Sequence, residues 1–216
     1  MKEAILFDLD GTLIDSAPDL AASLNHTLAT LGLPTYDLAT VRSWIGGGAT
    51  KLLQRALGGS KEPKEVDEKL LAKAKEIFFA HYGDNLCNQT TLYPCAKELL
   101  ESLKGCYRLA LVTNKPTPFV RPILQTLDID IFDVVLGGES LEYKKPHPAP
   151  LLHACELLGV RCDEALMVGD SINDYQAAKS AGIDVVIVPH GYDDVKTFAK
   201  EKEISDLCTL KERLCA

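Results

Sequence analysis

The chain opens on Ala4-Ile5-Leu6-Phe7-Asp8-Leu9-Asp10-Gly11-Thr12, an apolar run that ends in two carboxylates. Four consecutive apolar residues are typical of a short strand that is buried on both faces of a parallel sheet. Asp8 and Asp10 are two residues apart, so an extended backbone points both side chains the same way while Leu9 faces the core. This stretch predicts a buried strand followed by a pair of acidic side chains, although an ordinary strand and Asp-Gly turn share the same local pattern.

Strand and helix patterns alternate from about Leu92 onward. Further strands are predicted at Arg108–Val112, Asp133–Leu136, Ala165–Val168 and Asp184–Val188. Helices are predicted at 96–104, 116–127, before Leu158, at 172–181 and in the tail after Val195. The alternation predicts an α/β fold, a Rossmann-like parallel sheet core with helices on both faces and right-handed crossovers.

A block with only helical periodicity interrupts this pattern after the first strand. Its first helix is predicted to begin at Ser16, with Asp19 completing a capping box, and to run to Leu31. Further helices are predicted at 38–44, 50–57 and 63–82. We therefore expect residues 1–14 and 87–216 to form an α/β catalytic core, and residues 15–86 to form an inserted helical cap domain.

Composition excludes several classes of protein. The net charge of −8 and the pI near 5.1 argue against a nucleic-acid binder, which needs clustered Lys and Arg. No apolar run is long enough to span a bilayer and no signal peptide is evident, so a cytoplasmic protein with no membrane partner is expected. The seven cysteines show no C-x-x-C spacing, and we expect them to be reduced. Carboxylates are the available metal ligands, which favours Mg²⁺ over zinc.

Polar residues follow the predicted strands at their carboxyl ends, where ligands bind in an open parallel sheet. They are Asp8 and Asp10 after the first strand, Thr113 and Asn114 after the second, Lys145 after the third, and Asp170 and Asp174 after the fourth. Each one alone has an ordinary explanation as a helix cap or turn residue. Together they supply metal ligands, donors for an oxyanion and a cation at one edge of the sheet.

These residues resemble the motifs of the haloacid dehalogenase superfamily. The matching stretches are Asp8-Leu9-Asp10-Gly11-Thr12, Thr113-Asn114, Lys145 before Pro146, and Gly169-Asp170-Ser171-Ile172-Asn173-Asp174. The resemblance covers essentially the whole chain, since that superfamily inserts a cap after its first strand. It implies a phosphotransferase, and Asp10 favours phosphate esters over halides because a halide leaving group needs no acid.

The resemblance implies a role for each site residue. Asp8 is expected to attack phosphorus and form an aspartyl-phosphate, while Asp10 acts as acid and then base. Mg²⁺ is expected on Asp8, the backbone carbonyl of Asp10 and Asp170, with Asp174 holding a metal-bound water or orienting Lys145. Thr113, Asn114 and Lys145 are expected to bind the phosphoryl group. Lys115 and Lys144 are rivals of Lys145 for the cation, and Lys145 is preferred because it precedes Pro146.

Substrate recognition is expected in the cap. Gly46, Gly47 and Gly48 form a loop whose N–H groups can face a substrate carboxylate, although a flexible turn beside a buried Trp44 explains them equally well. His190-Gly191-Tyr192 follows the fifth strand and can line the pocket. With the opening at Asp15–Leu20, these stretches are similar to those of phosphoglycolate phosphatases. The expected partner is a small-molecule phosphate ester, 2-phosphoglycolate first, and the expected assembly is a monomer or homodimer.

Three alternative functions stay open. A sugar phosphomutase would use the same core, but the mutases of this superfamily carry a cap histidine soon after the first motif, where this chain has Asp19-Leu20. A phosphonate hydrolase would need a cap lysine that forms a Schiff base, and Lys51 is the only lysine beside the glycine loop. A non-catalytic phosphate-ligand binding protein would be favoured by loss of an essential motif residue, and none is missing.

Overall fold

Five parallel strands form one sheet in this computed structural model, which describes residues 2–62 and 65–215. The strands are β1 (Ala4–Phe7), β2 (Arg108–Val112), β3 (Val134–Leu136), β4 (Ala165–Gly169) and β5 (Asp184–Ile187). Their spatial order is β3-β2-β1-β4-β5. The predicted parallel α/β sheet is therefore confirmed.

Strand β1 lies in the centre of the sheet, as its apolar sequence predicts. All four of its side chains are buried. Phe7, its last residue, lies opposite Leu111 of β2 and Val168 of β4 in the parallel register. Asp8 therefore leaves the sheet at the middle of its carboxyl edge, between the ends of β2 and β4.

The chain divides into two compact units. One ends at Asp15 and resumes at Leu92, and the other is Ser16–Thr91. The helices of the second unit are α1 (Ala17–Thr30), α2 (Leu38–Arg42), α3 (Ala49–Gly58) and α4 (Glu68–Asp84). Those of the first unit are α5 (Ala96–Leu103), α6 (Thr117–Thr126), α7 (Ala149–Leu158), α8 (Ile172–Ala181) and α9 (Leu207–Leu214). Within residues 2–62 and 65–215, none of the helices combines the length and apolarity needed to cross a bilayer.

The core of the first unit lies between the sheet and its helices. Leu6, Ala110 and Met167 point from three neighbouring strands to one face. Small residues on α7 and α8, including Ala154 and Ala177, pack against them. This packing holds the central strands, and with them the carboxyl edge, in a fixed register.

The predicted capping box at the start of α1 does not form. The Ser16 side chain makes no capping hydrogen bond to the helix. The buried carboxylate of Asp19 instead accepts hydrogen bonds from the backbone N–H groups of Gln89 and Thr90 and from the Thr90 hydroxyl. The prediction was wrong because a tertiary partner 71 residues away competes with the local one.

Two predicted helix boundaries also differ. The helix predicted from Pro63 begins at Glu68, where the Asp67 side chain accepts a hydrogen bond from the N–H of Leu70. The start predicted at Pro63 lies outside the described residues. The tail after Val195 forms two short 3₁₀ turns before α9 rather than one helix.

The expectation that all cysteines are reduced was wrong for one pair. Cys95 and Cys208 form a disulfide, with their Cα atoms 5.2 Å apart. The disulfide joins the residue before α5 to a residue of α9. These two helices pack against each other. A separation of 113 residues in the sequence hides this pairing from any reading of local cysteine spacing.

Candidate active site

Strand register places the first candidate, Asp8, between two partner strands. Its backbone N–H donates to the carbonyl of Val168 on β4, at 2.9 Å, which extends the strand ladder by one residue. The Asp8 side chain is 11% exposed. Burial raises its pKa to about 6, against the opposing effect of the neighbouring Lys145 charge. The carboxylate is thus held at the edge of the sheet in an environment that disfavours an isolated negative charge.

Gly11 brings the first motif close to the fourth strand. Its φ of +89° is in the left-handed region, and a Cβ atom there would lie 2.3 Å from Oδ2 of Asp170. The next residue, Thr12, donates from its hydroxyl to Asp170 Oδ1 at 3.0 Å. Glycine is therefore needed both for the turn and for the close approach of Asp170.

Lys145 lies in the centre of the site. Its Nζ is 2.6 Å from Asp174 Oδ1 and 2.9 Å from Asp8 Oδ1, and it also donates to the carbonyl oxygen of Val112. Burial alone would lower the pKa of Lys145, but the charges of Asp174 and Asp8 outweigh it and raise that pKa. Lys145 is therefore a fully charged ammonium in direct contact with the candidate nucleophile.

The two rival lysines contact carboxylates other than Asp8. Lys144 pairs with Glu139 at 3.0 Å, and its side chain is 37% exposed. Lys115 is buried, and its Nζ lies 2.9 Å from Oδ1 of Asp10. Each lysine thus has its own carboxylate partner, and among the described side chains it is Lys145 that contacts Asp8.

Three carboxylates form a cluster suited to a divalent cation. Among the residues that the structure describes, oxygen atoms of Asp8, Asp170 and Asp174 lie within 4.8 Å of one another, and all three residues are buried. Burial, and then the charges of Asp174 and Asp8, raise the pKa of Asp170 well above its usual range. Such mutual repulsion is relieved when a cation binds between the groups.

A buried oxygen atom in the cluster supports this fit. Within the part of the chain that the structure describes, Asp8 Oδ1 accepts no hydrogen bond of ordinary geometry, although the Lys145 ammonium lies at ion-pair distance. A buried carboxylate oxygen normally has such a partner. An oxygen donor set of this kind is the one that Mg²⁺ prefers, so the residues present fit the metal that the sequence predicts.

Asp174 is more fully engaged than the other two carboxylates. Its Oδ2 accepts from the backbone N–H and the hydroxyl of Ser171, which caps α8, and its Oδ1 contacts Lys145. Its side chain is held between a helix start and the lysine. These contacts favour orienting Lys145 over holding a metal-bound water, the two roles that the sequence leaves open for Asp174.

Thr113 and Asn114 follow β2 as predicted and are both buried. The Thr113 hydroxyl accepts a hydrogen bond from the N–H of Lys115, at 3.2 Å. The Asn114 side chain donates to the backbone carbonyl of Lys145, at 2.9 Å. Asn114 therefore anchors the lysine loop through its side chain, a contact that the sequence did not indicate.

The loop after β5 adds contacts that sequence reasoning missed. The backbone N–H of Tyr192 donates to Asp170 Oδ2 at 2.9 Å, and the Nε2 atom of His190 lies 3.0 Å from the carbonyl oxygen of Thr12. The sequence placed this loop at the same edge as a pocket lining. Its position after the fifth strand was the available signal, but its hydrogen bonds depend on the tertiary fold.

The three candidate glycines lie in the second unit. Gly46, Gly47 and Gly48 are half-buried and lead into α3, whose first residue is Ala49. The preceding Trp44 is buried and packs edge-on against Tyr36. Their role toward a substrate stays a prediction.

Comparison with known proteins supports the resemblance of the motifs. The model of the haloacid dehalogenase-like hydrolase family matches residues 5–188. A phosphoglycolate phosphatase of Colwellia psychrerythraea is 50% identical over 194 residues, which cover 88% of this chain and 86% of that protein. A phosphoglycolate phosphatase of Psychrobacter arcticus is 42% identical over 220 residues, 99% of this chain and 96% of that protein. The crystal structure of a predicted phosphoglycolate phosphatase from Haemophilus somnus superposes with a TM-score of 0.89 at 42% identity, covering 99% of this chain and 98% of that one.

Proposed function

The chain belongs to the haloacid dehalogenase-like hydrolase family, and on that basis we propose that it is a Mg²⁺-dependent phosphatase that hydrolyses a small phosphate monoester, with 2-phosphoglycolate as the first candidate. One observation carries the proposal: a buried aspartate, Asp8, lies at the central strand end in contact with the ammonium of Lys145. The relatives named phosphoglycolate phosphatase support the choice of substrate.

The first half of the reaction is attack by Asp8. One of its carboxylate oxygens forms a bond to phosphorus while the bond between phosphorus and the ester oxygen breaks, which produces an aspartyl-phosphate. Asp10 donates a proton to the departing oxygen, so that the product leaves as an alcohol. Lys145 offsets the repulsion between the attacking carboxylate and the phosphoryl oxygens, since its ammonium already contacts Asp8.

The second half regenerates the enzyme. Asp10, now a carboxylate, takes a proton from water as the water oxygen bonds to phosphorus and the bond to Asp8 breaks. Thr113 and the backbone N–H of Asn114, both at the end of β2, are the proposed donors to the phosphoryl oxygens. Inorganic phosphate then leaves and Asp8 is free to react again.

Asp8, Asp170 and the backbone carbonyl of Asp10 are the proposed ligands of Mg²⁺, with Asp174 orienting Lys145. The ion, when bound, supplies positive charge that neutralises the phosphoryl group and the attacking carboxylate. The Asp8 oxygen that has only the Lys145 ammonium near it, and the clustering of the three carboxylates, support this assignment.

The helical unit is the proposed cap. We propose that Gly46, Gly47 and Gly48 present backbone N–H groups to the part of the substrate beyond the phosphate. Arg55, a positively charged residue near this loop, donates to the backbone carbonyls of Trp44 and Lys61. These bonds give its guanidinium a role within the second unit itself.

A cytoplasmic location and a monomeric or dimeric state belong to the same proposal. Five cysteines, at positions 87, 106, 155, 162 and 215, are thiols. Thiols are the usual state of cysteine in cytoplasmic proteins and form the majority here, whereas the Cys95–Cys208 disulfide is of a kind that is uncommon there.

The proposal is tested by phosphate release from a panel of small esters, including 2-phosphoglycolate and several sugar phosphates, with Mg²⁺ and with excess EDTA. We expect 2-phosphoglycolate to have the highest kcat/KM and EDTA to abolish turnover. A mutase would instead convert a sugar phosphate to its isomer in the presence of a bisphosphate activator. Preference for another ester would overturn the substrate, and absence of phosphate release from every ester would overturn the function.

A further inference from the structure

The ion pair between Lys115 and Asp10 has no part in the mechanism described so far. Lys115 Nζ lies 2.9 Å from Oδ1 and 3.2 Å from Oδ2 of Asp10, so the ammonium contacts both oxygens. The side chain of Lys115 is 2% exposed and that of Asp10 is 13% exposed. Two residues 105 positions apart thus meet in a nearly water-free environment.

The backbone of Lys115 is fixed at both of its polar atoms. Its N–H donates to the Thr113 hydroxyl at 3.2 Å, and its carbonyl accepts from the N–H of Gly138 at 2.7 Å. The lysine therefore extends from a rigid base at the end of β2. A long side chain that starts from a fixed point and ends on both oxygens of a carboxylate restricts the direction of that carboxylate.

Stability alone does not explain this lysine. Taking an ammonium out of water is costly, and a buried ion pair is often no more stable than well-packed apolar side chains of the same size. That comparison applies to replacing both partners, whereas an apolar residue at position 115 alone would leave the largely buried Asp10 carboxylate without its counter-charge. The ammonium of Lys115 is therefore needed because a carboxylate is present at position 10, and it acts on that carboxylate.

We propose that Lys115 is a positioning residue for Asp10, whose ammonium fixes the orientation in which that carboxylate exchanges protons with the leaving group and with water. The inference rests on the proposed function, in which Asp10 donates a proton to the ester oxygen as its bond to phosphorus breaks and later accepts one from the attacking water. The site then has two lysines with separate tasks. Lys145 contacts Asp8 and Asp174, whereas Lys115 contacts Asp10.

The leaving group of the substrate provides the test. An alkyl phosphate needs a proton on its leaving oxygen, whereas p-nitrophenyl phosphate releases a stable phenolate and needs none. The ratio kcat/KM reports the steps up to phosphoryl transfer, before the aspartyl-phosphate is hydrolysed. A defect in the orientation of Asp10 should therefore reduce kcat/KM selectively for the alkyl ester.

The variants are Lys115→Met and Lys115→Gln, with Lys144→Met as the matched control. We expect both changes at Lys115 to lower kcat/KM about 100-fold for the best alkyl ester of the panel, and less than about threefold for p-nitrophenyl phosphate, because a positioned general acid contributes ~10²- to 10⁴-fold. Lys144→Met should leave kcat/KM unchanged for both the alkyl ester and p-nitrophenyl phosphate, since Lys144 pairs with the exposed Glu139. The glutamine variant keeps a polar group beside Asp10 and carries the test if the methionine variant does not fold.

A double-mutant cycle checks that the effect passes through Asp10. Adding Lys115→Met to Asp10→Asn should cause no further loss with the alkyl ester, because the carboxylate that the lysine orients is already gone. Equal losses on the two kinds of ester, no loss on either, or additive losses in the cycle would each overturn the positioning role. Activity of the wild-type protein on both esters would at the same time leave the proposed function standing.

Discussion

The backbone N–H of Tyr192 donates a hydrogen bond to Oδ2 of Asp170, at 2.9 Å. The other oxygen of Asp170 accepts from the Thr12 hydroxyl. Asp170 is thus held between the first motif and the loop after β5. Residues from near the two ends of the sequence therefore meet at one carboxylate. Ligand carboxylates that are fixed in this way bind a metal with less loss of side-chain freedom.

Gly191→Ala should weaken metal binding. A Cβ at this position would lie 2.1 Å from the Cβ of Asp170, so the carboxylate has to move. We expect the Mg²⁺ concentration for half-maximal activity to rise about tenfold or more, as is usual when the support of a metal ligand is lost. Direct titration with Mn²⁺, followed by electron paramagnetic resonance, should show the same weakening without substrate.

Tyr192→Phe is the control for that experiment, because it keeps the backbone N–H that contacts Asp170. It removes only the hydroxyl, which lies 3.2 Å from Asp15 Oδ1. Metal affinity should stay at the wild-type value. If Gly191→Ala also binds Mn²⁺ like the wild type, the loop does not position Asp170.

Asp8→Asn should abolish phosphate release without unfolding the protein. The amide is a poor nucleophile, so we expect kcat to fall by more than ~10³-fold, the scale seen when a catalytic nucleophile is removed. The thermal midpoint should stay equal or rise, since the change removes one negative charge from a buried group of three carboxylates. Phosphate release and a melting curve on the same sample check both expectations, and turnover within tenfold of wild type would contradict the nucleophile assignment.

Asp19→Ala should destabilise the helical unit. The buried carboxylate accepts from the N–H groups of Gln89 and Thr90 and from the Thr90 hydroxyl, and the alanine would leave these donors without an acceptor. We expect a loss of about 3 kcal/mol in the free energy of unfolding, because hydrogen bonds to a buried charged group are among the strongest. Urea unfolding measures it.

Asp37→Ala serves as the comparison for that measurement. Asp37 is an exposed residue of the same unit whose side chain caps α2 through the N–H of Thr40. Its removal should cost clearly less than that of Asp19. Equal losses in the two variants would mean that the buried network around Asp19 adds no stability beyond an ordinary helix cap.

His190 should make the stability of the fold depend on pH. Burial lowers the pKa of His190, whose ring packs on Tyr93 with centroids 4.0 Å apart. The unfolded chain, with a histidine pKa near ~6.5, then binds a proton more tightly than the native state. Stability is therefore full above about pH 6.5 and falls as the pH drops below that value.

The measurement is the free energy of unfolding between pH 8 and pH 5, for the wild type and for His190→Gln. His81 also has a pKa lowered by burial and by His26, and it contributes a slope of its own in both proteins. The glutamine variant should lose less stability on acidification than the wild type. Parallel curves would show that His190 has the same proton affinity in both states.

Local sequence determined the elements and the order in which they occur. The apolar run 4–7 and the later runs of similar length read as buried strands because four or five consecutive apolar residues suit a parallel sheet with both faces covered. The carboxyl-end residues could be predicted as a group, since each follows a strand, directly or, for Lys145, in the loop that leaves it, and parallel strands end at one edge. That rule brings Asp8, Thr113, Lys145 and Asp170 together without knowledge of any contact.

The tertiary structure alone decided the pairing of those side chains. Which lysine contacts Asp8 and which contacts Asp10 depends on the order of the strands and on their register, and neither is encoded in a local pattern. The same reason explains why Asp19 binds residues 89 and 90 instead of capping its own helix, and why Cys95 meets Cys208. Periodicity and turn chemistry act over a few residues, whereas these contacts join positions that are 70 or more residues apart, and only the packed fold brings such positions together.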